Sequence, residues 1–171
     1  MTFSRISRPV FALALVGALA ACGETADDTG EGEAIEGDAE MISEVAVIEA
    51  RQTNFEEIGD EFKAIRGQLE GGAPDFVLIE AAANTINTNA QKVPDFFPEG
   101  TGIDSGADTE ALESIWEKPE DFAAAHQKLV DTSAALAVAA ATGEMAAVGE
   151  AVKTMGGSCK GCHDNFRLDK D

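Results

Sequence analysis

Two cysteines and a histidine lie together near the C-terminus of the chain, in the segment GGSCKGCHDNFR. Cys159 and Cys162 are three positions apart, and His163 follows the second cysteine directly. Residues at this spacing lie on the same side of a helix, so both sulfurs could form thioethers with the vinyl groups of one haem. The adjacent imidazole could then bind the iron. The motif predicts one covalently bound haem c with His163 as the axial ligand.

Three other uses of this cysteine pair are weaker. A thioredoxin-like redox pair requires a strand that leads into a helix, and no strand-like alternation of useful length occurs in the sequence. A structural disulfide would close only a short loop. A zinc site would need further ligands, and His126 is the one histidine left over.

The N-terminus has the features of an export signal. Arg5 and Arg8 precede an apolar run, residues 10–21, that is too short to span a bilayer comfortably. We therefore predict a signal peptide over residues 1–21. Its end, Leu-Ala-Ala-Cys22, resembles a bacterial lipobox, which predicts that Cys22 is lipidated and anchors an exported, periplasmic protein to a membrane. The alternative is an ordinary signal that is cleaved after a small residue.

Composition limits the class of protein. The chain has 171 residues and a net charge of −20, from 32 acidic and 12 basic residues. A nucleic-acid binder needs a basic face, so we expect no nucleic acid as a partner. Few aromatic residues and many alanines favour helices over sheets. Residues 22–40 contain no Lys or Arg and few apolar residues, which predicts a flexible acidic tether after the lipidated cysteine.

Apolar residues repeat every three or four positions through most of the remaining chain, as in amphipathic helices. The first predicted helix covers about 28 residues and ends at Gly71-Gly72, and the second opens at Pro74-Asp75 and stops before Pro94. A long loop follows, with a short helical turn around residues 110–116. The third helix begins at Pro119, and the fourth carries both cysteines on its inward stripe. This pattern predicts an all-α fold for residues 41–171, an antiparallel up-down-up-down four-helix bundle.

At this point the sequence resembles the class II c-type cytochromes, and within them cytochrome c′. The resemblance covers about residues 41–167. The motifs that carry it are the C-terminal haem motif with Ser158 before it and Phe166-Arg167 after it, the pair Arg51-Gln52, and the loop segments Phe96–Thr101 and Ile115–Glu117. It implies that Arg51 and Gln52 contribute to cofactor binding and that Arg167 is the polar residue of the proximal pocket.

The face of the haem opposite His163 decides the function. The resemblance implies that Phe55, four positions after Arg51, lies over this face as a distal lid. Low-spin relatives carry Met there, whereas Phe cannot bind iron. Phe55 also belongs to the inward stripe of the first helix. We predict five-coordinate, high-spin iron under an apolar lid, and we interpret His126 as a partly exposed surface residue.

An apolar pocket offers no hydrogen-bond donor to bound O₂ but admits NO and CO. We therefore predict a gas-binding haem protein that buffers or detoxifies NO, with some one-electron transfer. The alternative is a periplasmic electron-transfer cytochrome whose redox partner is unidentified. We predict no enzyme, since no distal His/Arg pair is evident that could cleave peroxide. The resemblance further implies a homodimer through the first two helices.

Overall fold

The computed structural model describes the backbone of residues 32–169 and the side chains of residues 43–169. The predicted signal peptide, residues 1–21, and the predicted lipidation site, Cys22, lie outside the described residues. Within the described part, no helix is both long enough and apolar enough to cross a membrane.

The described chain is helical, and the prediction of an antiparallel four-helix bundle is confirmed. Between residues 32 and 169 the only β-type pairing is one isolated antiparallel bridge. The helices are α1 (Gly32–Glu70), α2 (Phe76–Gln91), the single-turn α3 (Ser114–Glu117), α4 (Pro119–Ala141) and α5 (Met145–Phe166), with 3₁₀ turns at Val93–Phe96 and Ile103–Ser105.

The first helix is longer than predicted. It has 39 residues and begins at Gly32, so residues 32–40, which we had assigned to the flexible tether, have a helical backbone. Glu and Ala, which are frequent in this segment, have high helix propensity. Acidic residues near a helix N-terminus also interact favourably with the helix dipole. A shortage of apolar residues was therefore a poor guide to where the helix begins.

The other helix ends follow from local sequence. The carboxylate of Asp75 caps α2 by accepting hydrogen bonds from the amides of Val77 (3.0 Å) and Leu78 (3.2 Å). Pro119 occupies the first turn of α4, where its missing N–H costs nothing. Gly143 has a φ of +69°, which favours glycine, and separates α4 from α5.

Two apolar clusters hold the bundle together. Helix α1 packs against α2, α2 against α4, and α4 against α5. The larger cluster lies between these helices and includes Ile65, Ile79, Ile86, Leu136, Val148 and Met155. The smaller one joins the end of α5 to the long loop, residues 92–118 between α2 and α4, through Ala111, Ile115 and Phe166. Residues of both clusters line the cavity described next.

Candidate functional site

A cavity of about 690 Å³, partly open to solvent, is lined by residues of α1, the long loop, α4 and α5. Its volume lies in the range of small-molecule and cofactor sites. All seven residues of the predicted haem site line it, namely Arg51, Gln52, Phe55, Cys159, Cys162, His163 and Arg167. The fold therefore brings residues that are more than 100 positions apart in sequence to a single site.

The cysteines and the histidine line this cavity from α5. Cys159 and Cys162 are half-buried free thiols and form no disulfide with each other. Burial raises the pKa of both thiols, and the charge of Cys159 contributes to raising the pKa of Cys162 to about 11. Burial lowers the pKa of His163, and the guanidinium of Arg167 lowers it further. Both shifts favour neutral groups, and a neutral imidazole has a nitrogen lone pair available to a metal.

Hydrogen bonds hold the motif against the neighbouring helix. The hydroxyl of Ser158 is buried, donates to the carbonyl of Met155 (2.7 Å) and lies 3.0 Å from the hydroxyl of Thr132 on α4. Among residues 43–169, no group of three or more His, Cys, Asp and Glu side chains is placed to hold a metal ion.

Four phenylalanines form a continuous row along the cavity wall. Phe55 on α1 contacts Phe97 edge to face at 6.3 Å between ring centroids, Phe97 contacts Phe122 at 4.9 Å, and Phe122 contacts Phe166 at 5.3 Å. This geometry is favourable for aromatic pairs. The row joins α1 to the end of α5 and presents no atom that could bind iron.

Arg51 is a buried cation at the cavity wall. Its guanidinium donates hydrogen bonds to the carbonyl of Phe96 (3.3 Å), to the hydroxyl (3.1 Å) and carbonyl (2.9 Å) of Thr101, and to the hydroxyl of Thr109 (2.6 Å). It also lies 4.7 Å from the centre of the Phe97 ring. Burial lowers the pKa of Arg51. All four acceptors are uncharged, so this wall of the cavity would stabilise an anionic group of a ligand.

Gln52 and Arg167 also contact the long loop. The side-chain amide of Gln52 donates to the carbonyl of Asp108 (2.8 Å). The Nε of Arg167 lies 2.5 Å from a carboxylate oxygen of Glu110. The long loop thus holds polar residues from both α1 and α5 at the cavity.

His126 also lines the cavity. From the sequence we interpreted it only as a partly exposed surface residue and did not place it at the site. It is partly exposed, as expected, but its Nε2 lies 2.9 Å from the carbonyl of Ala90 on α2. Because a carbonyl can only accept, Nε2 carries the proton. Phe122, His126 and Leu129 follow the spacing i, i+4, i+7 of one helix face, so the periodicity of α4 could have placed His126 at the site.

A model of the family described as Cytochrome C′ matches residues 46–167 of the chain. The chain belongs to the cytochrome c′ family. It is 38% identical over 123 residues to cytochrome c′ of Pararhodospirillum photometricum, which covers 71% of this chain and 96% of that protein. It is 37% identical over 124 residues to cytochrome c-556 of Agrobacterium tumefaciens, which covers 72% of this chain and 98% of that protein.

Solved structures of cytochrome c′ have the same fold. The crystal structure of cytochrome c′ from Thermochromatium tepidum superimposes with a TM-score of 0.68 at 30% identity, covering 74% of this chain and 97% of that one. Members of the family are exported, periplasmic proteins that bind one covalent haem c. The predicted cofactor is thereby confirmed.

The residues at the cavity fit this cofactor. Two free thiols and an imidazole lie on one wall, aromatic and aliphatic side chains provide an apolar lining, and the buried Arg51 suits the haem carboxylates. Cys159 and Cys162 would hold the haem through thioethers, and His163 would bind its iron. These individual assignments remain predictions, as do the roles of Gln52, Phe55 and Arg167.

Proposed function

We propose that this protein binds NO and CO at five-coordinate haem iron and that it buffers or detoxifies NO. The observation that carries the proposal is Phe55, whose side chain borders the cavity from α1 and has no atom that could bind iron. When bound, the haem supplies the iron site at which a small diatomic ligand can be held. The protein supplies the shape and polarity of the surrounding pocket.

The polar groups near Phe55 support the preference for NO and CO over O₂. Arg51, Gln52 and His126 all border the cavity, and each is engaged by a backbone carbonyl of the fold. Donors held in this way are not directed at a ligand under Phe55, and O₂ depends on such donors more than NO and CO do. The phenyl ring also fills space, which excludes bulky ligands and water.

The comparisons support the same proposal. A point variant of cytochrome c prime from Alcaligenes xylosoxidans has been solved as its nitric oxide complex. It superimposes on this chain with a TM-score of 0.65 at 27% identity and covers 73% of it. This is a property of that protein, and we extend it to this one because both have the same fold and because Phe55, which borders the pocket from α1, cannot bind iron.

One-electron transfer is the second candidate function. The chain is almost equally similar to a cytochrome c′ and to a cytochrome c-556, at 38% and 37% identity. Overall similarity therefore does not separate a ligand-binding protein from an electron carrier. The occupant of the second axial position of the iron separates them.

Absorption spectra of the reduced holoprotein with and without CO and NO test the proposal. We expect broad high-spin bands that change on addition of either gas. Sharp low-spin bands that do not respond to CO would refute five-coordination. A Phe55→Met variant should shift the spectrum toward the low-spin form, because the thioether can bind iron. Phe55→Leu is the matched control, since it changes the size of the side chain without adding a ligand.

His126 requires a separate control because it is the other histidine at the cavity. A His126→Gln variant keeps a hydrogen-bond donor for the carbonyl of Ala90 but loses the imidazole. If the wild-type spectrum were low-spin and this variant high-spin, His126 would be the second axial ligand and the protein an electron carrier.

We also propose that residues 1–21 direct export and that a lipidated Cys22 anchors the protein to a membrane. The family's periplasmic location supports export. The lipobox-like sequence supports lipidation. A Cys22→Ala variant should move from the membrane fraction to the soluble periplasmic fraction. Recovery of this variant in the membrane fraction, at the wild-type level, would refute the anchor.

We further propose a homodimer through α1 and α2. Val45 on α1 and Val77 and Leu78 on α2 are exposed apolar side chains, 41%, 73% and 55% accessible. Another cytochrome c′, 31% identical to this chain, is described as having ligand-controlled dimer dissociation. Val77→Asp should give monomers in light scattering, because a buried carboxylate opposes association. Val138→Asp on α4, where Val138 is 69% exposed, is the control that should remain dimeric.

A further inference from the structure

Helices α1 and α5 line the cavity from two sides without packing closely against each other. Helix α1 packs against α2 and the turn Val93–Phe96, whereas α5 packs against α4 and contacts α3. Within residues 32–169, α1 and α5 have no comparable contact with each other, although residues of both helices line the cavity. Side chains, rather than two packed helix backbones, therefore bound the cavity between them.

Two aromatic side chains of α1 extend into this region in different directions. Phe62 reaches toward α5, where its Cζ lies 3.6 Å from the position that a β-carbon would have at Gly156. The ring of Phe55 contacts the ring of Phe97 on the long loop. Both Phe55 and Phe62 are partly buried and pack against the larger apolar cluster. One ring thus connects α1 with α5, and the other connects α1 with the loop.

Gly59 lies between these two phenylalanines on the same face of α1. Positions 55, 59 and 62 follow the spacing i, i+4, i+7 of one helix face, and all three residues line the cavity. Gly59 is also exposed to solvent. Apart from its chain neighbours and the adjacent backbone of α1, no atom of the described residues would lie within 4 Å of a β-carbon at Gly59. The cavity wall therefore has a gap at Gly59.

The stability of the helix does not explain a glycine at this position. Glycine in the middle of a helix is less favourable than alanine, because its backbone loses more conformational freedom on folding. Gly59 is not among the glycines with positive φ, and no close contact in the described chain requires it. A glycine that lines a cavity and lies in open space instead leaves a passage between the cavity and solvent.

We propose that the gap at Gly59 is the port through which NO and CO reach the space under Phe55. The absence of a side chain at position 59 sets the rate of entry and limits the size of the ligand that can pass. Gly59 is one helical turn from Phe55, so the port leads to the side of the cavity that Phe55 borders. This inference rests on the proposed gas-binding function.

Ligand kinetics of the reduced holoprotein test the port. Flash photolysis of the CO complex measures the association rate, and displacement of bound CO by NO measures the dissociation rate. We expect Gly59→Ala to slow both rates and Gly59→Leu to slow them further. For Gly59→Leu we expect about a tenfold decrease in each rate, which corresponds to about 1.4 kcal/mol of added barrier.

The ratio of the two rates separates a port from a residue that touches the bound ligand. A side chain at a port raises the barrier to entry and to escape equally, so both rates should fall by the same factor and the affinity for CO should stay unchanged. Phe55→Leu should instead change the affinity, because Phe55 is proposed to lie over the bound ligand. A Gly59 variant that changes the affinity without equal changes in both rates would overturn the port.

Gly67→Ala and Gly67→Leu are the matched controls. Gly67 is also an exposed glycine of α1 with open space at its β-carbon position, but it does not line the cavity. Alanine at either position should raise the urea midpoint of unfolding, because it has the higher helix propensity. Only the Gly59 substitutions should change the rates. A lower urea midpoint and an altered haem spectrum in Gly59→Ala would mean that Gly59 makes room for the haem, which would overturn the port.

The outcomes separate this inference from the proposed function. If the wild-type protein binds neither gas, the proposed function fails and the port for these gases fails with it. If the wild type binds both gases but the Gly59 variants match the Gly67 variants in both rates, the ligands enter elsewhere. The port is then refuted, and the proposed function stands.

Discussion

Replacement of Arg51 by methionine should remove the main polar connection between α1 and the long loop. Methionine has a similar reach and fills a buried site without donors. The substitution removes four hydrogen bonds, between 2.6 and 3.3 Å long, that join one guanidinium to three loop residues. It also removes the contact of the cation with the ring of Phe97 at 4.7 Å.

The size of the loss follows from which acceptors are left without a donor. The hydroxyl of Thr101 keeps its bond to the carbonyl of Pro98 (2.8 Å), and the hydroxyl of Thr109 keeps the amide of Ala111 (3.2 Å). The carbonyl of Thr101 loses a donor at 2.9 Å in a fully buried residue, which costs about 1–3 kcal/mol. The other bonds contribute about 1 kcal/mol each, and the contact with the ring about 0.5–1 kcal/mol.

Methionine is uncharged, so the variant avoids the free-energy cost of burying a guanidinium. This gain offsets part of the stability lost with the hydrogen bonds and the ring contact. We therefore expect the free energy of unfolding to fall by about 2–4 kcal/mol, which is large for a single substitution. Urea denaturation of the holoprotein, followed by circular dichroism and by haem absorbance, measures it. The two signals also report whether the haem environment is lost before the helices unfold.

Arg66→Met is the matched control because Arg66 is on the same helix. It pairs with Glu70 at 3.8 Å, and the two side chains are 61% and 74% exposed, so its loss should cost less than about 0.5 kcal/mol. Equal destabilisation by the two substitutions would refute the reasoning. The loop would then be held mainly by its apolar contacts, and the hydrogen bonds of Arg51 would be energetically minor.

Two further predictions concern covalent attachment and a close contact. The double variant Cys159→Ala/Cys162→Ala should show no haem staining after denaturing electrophoresis. Each single variant keeps one thioether and should still stain. Haem stain on the double variant would contradict attachment through these sulfurs. Gly102→Ala should lower the free energy of unfolding by about 1–3 kcal/mol, because the added methyl group would overlap Trp116. Gly67→Ala, in open space on α1, should instead raise it by about 0.5–1 kcal/mol in the same urea assay.

The helices of the bundle could be predicted because the sequence features that mark their ends are local. Pro119 and Gly143 mark ends through the backbone geometry of single residues, and Asp75 caps α2 with its own side chain. The cysteine spacing is equally local, since it needs only one helix to bring both sulfurs to one side. The prediction for α1 differs from the structure at its beginning because it placed the start of the helix at the apolar stripe, whereas the helical backbone begins at Gly32.

The loop contacts could not be predicted because no short-range pattern encodes them. Arg51 bonds to Thr101 and Thr109, which are 50 and 58 positions away, and Arg167 pairs with Glu110 at a separation of 57. Nothing in composition or periodicity selects one loop acid among several for Arg167. Only the packed loop determines which carboxylate reaches the guanidinium.

The apolar character of the pocket beside Phe55 also depends on how the loop holds Arg51. The two residues are four positions apart on α1, so they lie on one face of the helix, and both contact Phe97. Phe97 in turn accepts a hydrogen bond at its carbonyl from the indole of Trp116 (3.1 Å). In the proposed site, the pocket beside Phe55 is apolar only where neighbouring hydrogen-bond donors have other partners, and Arg51 donates to this loop. Position 55 alone therefore does not define the pocket, because its apolar character depends on loop residues that fix the polar side chains beside it.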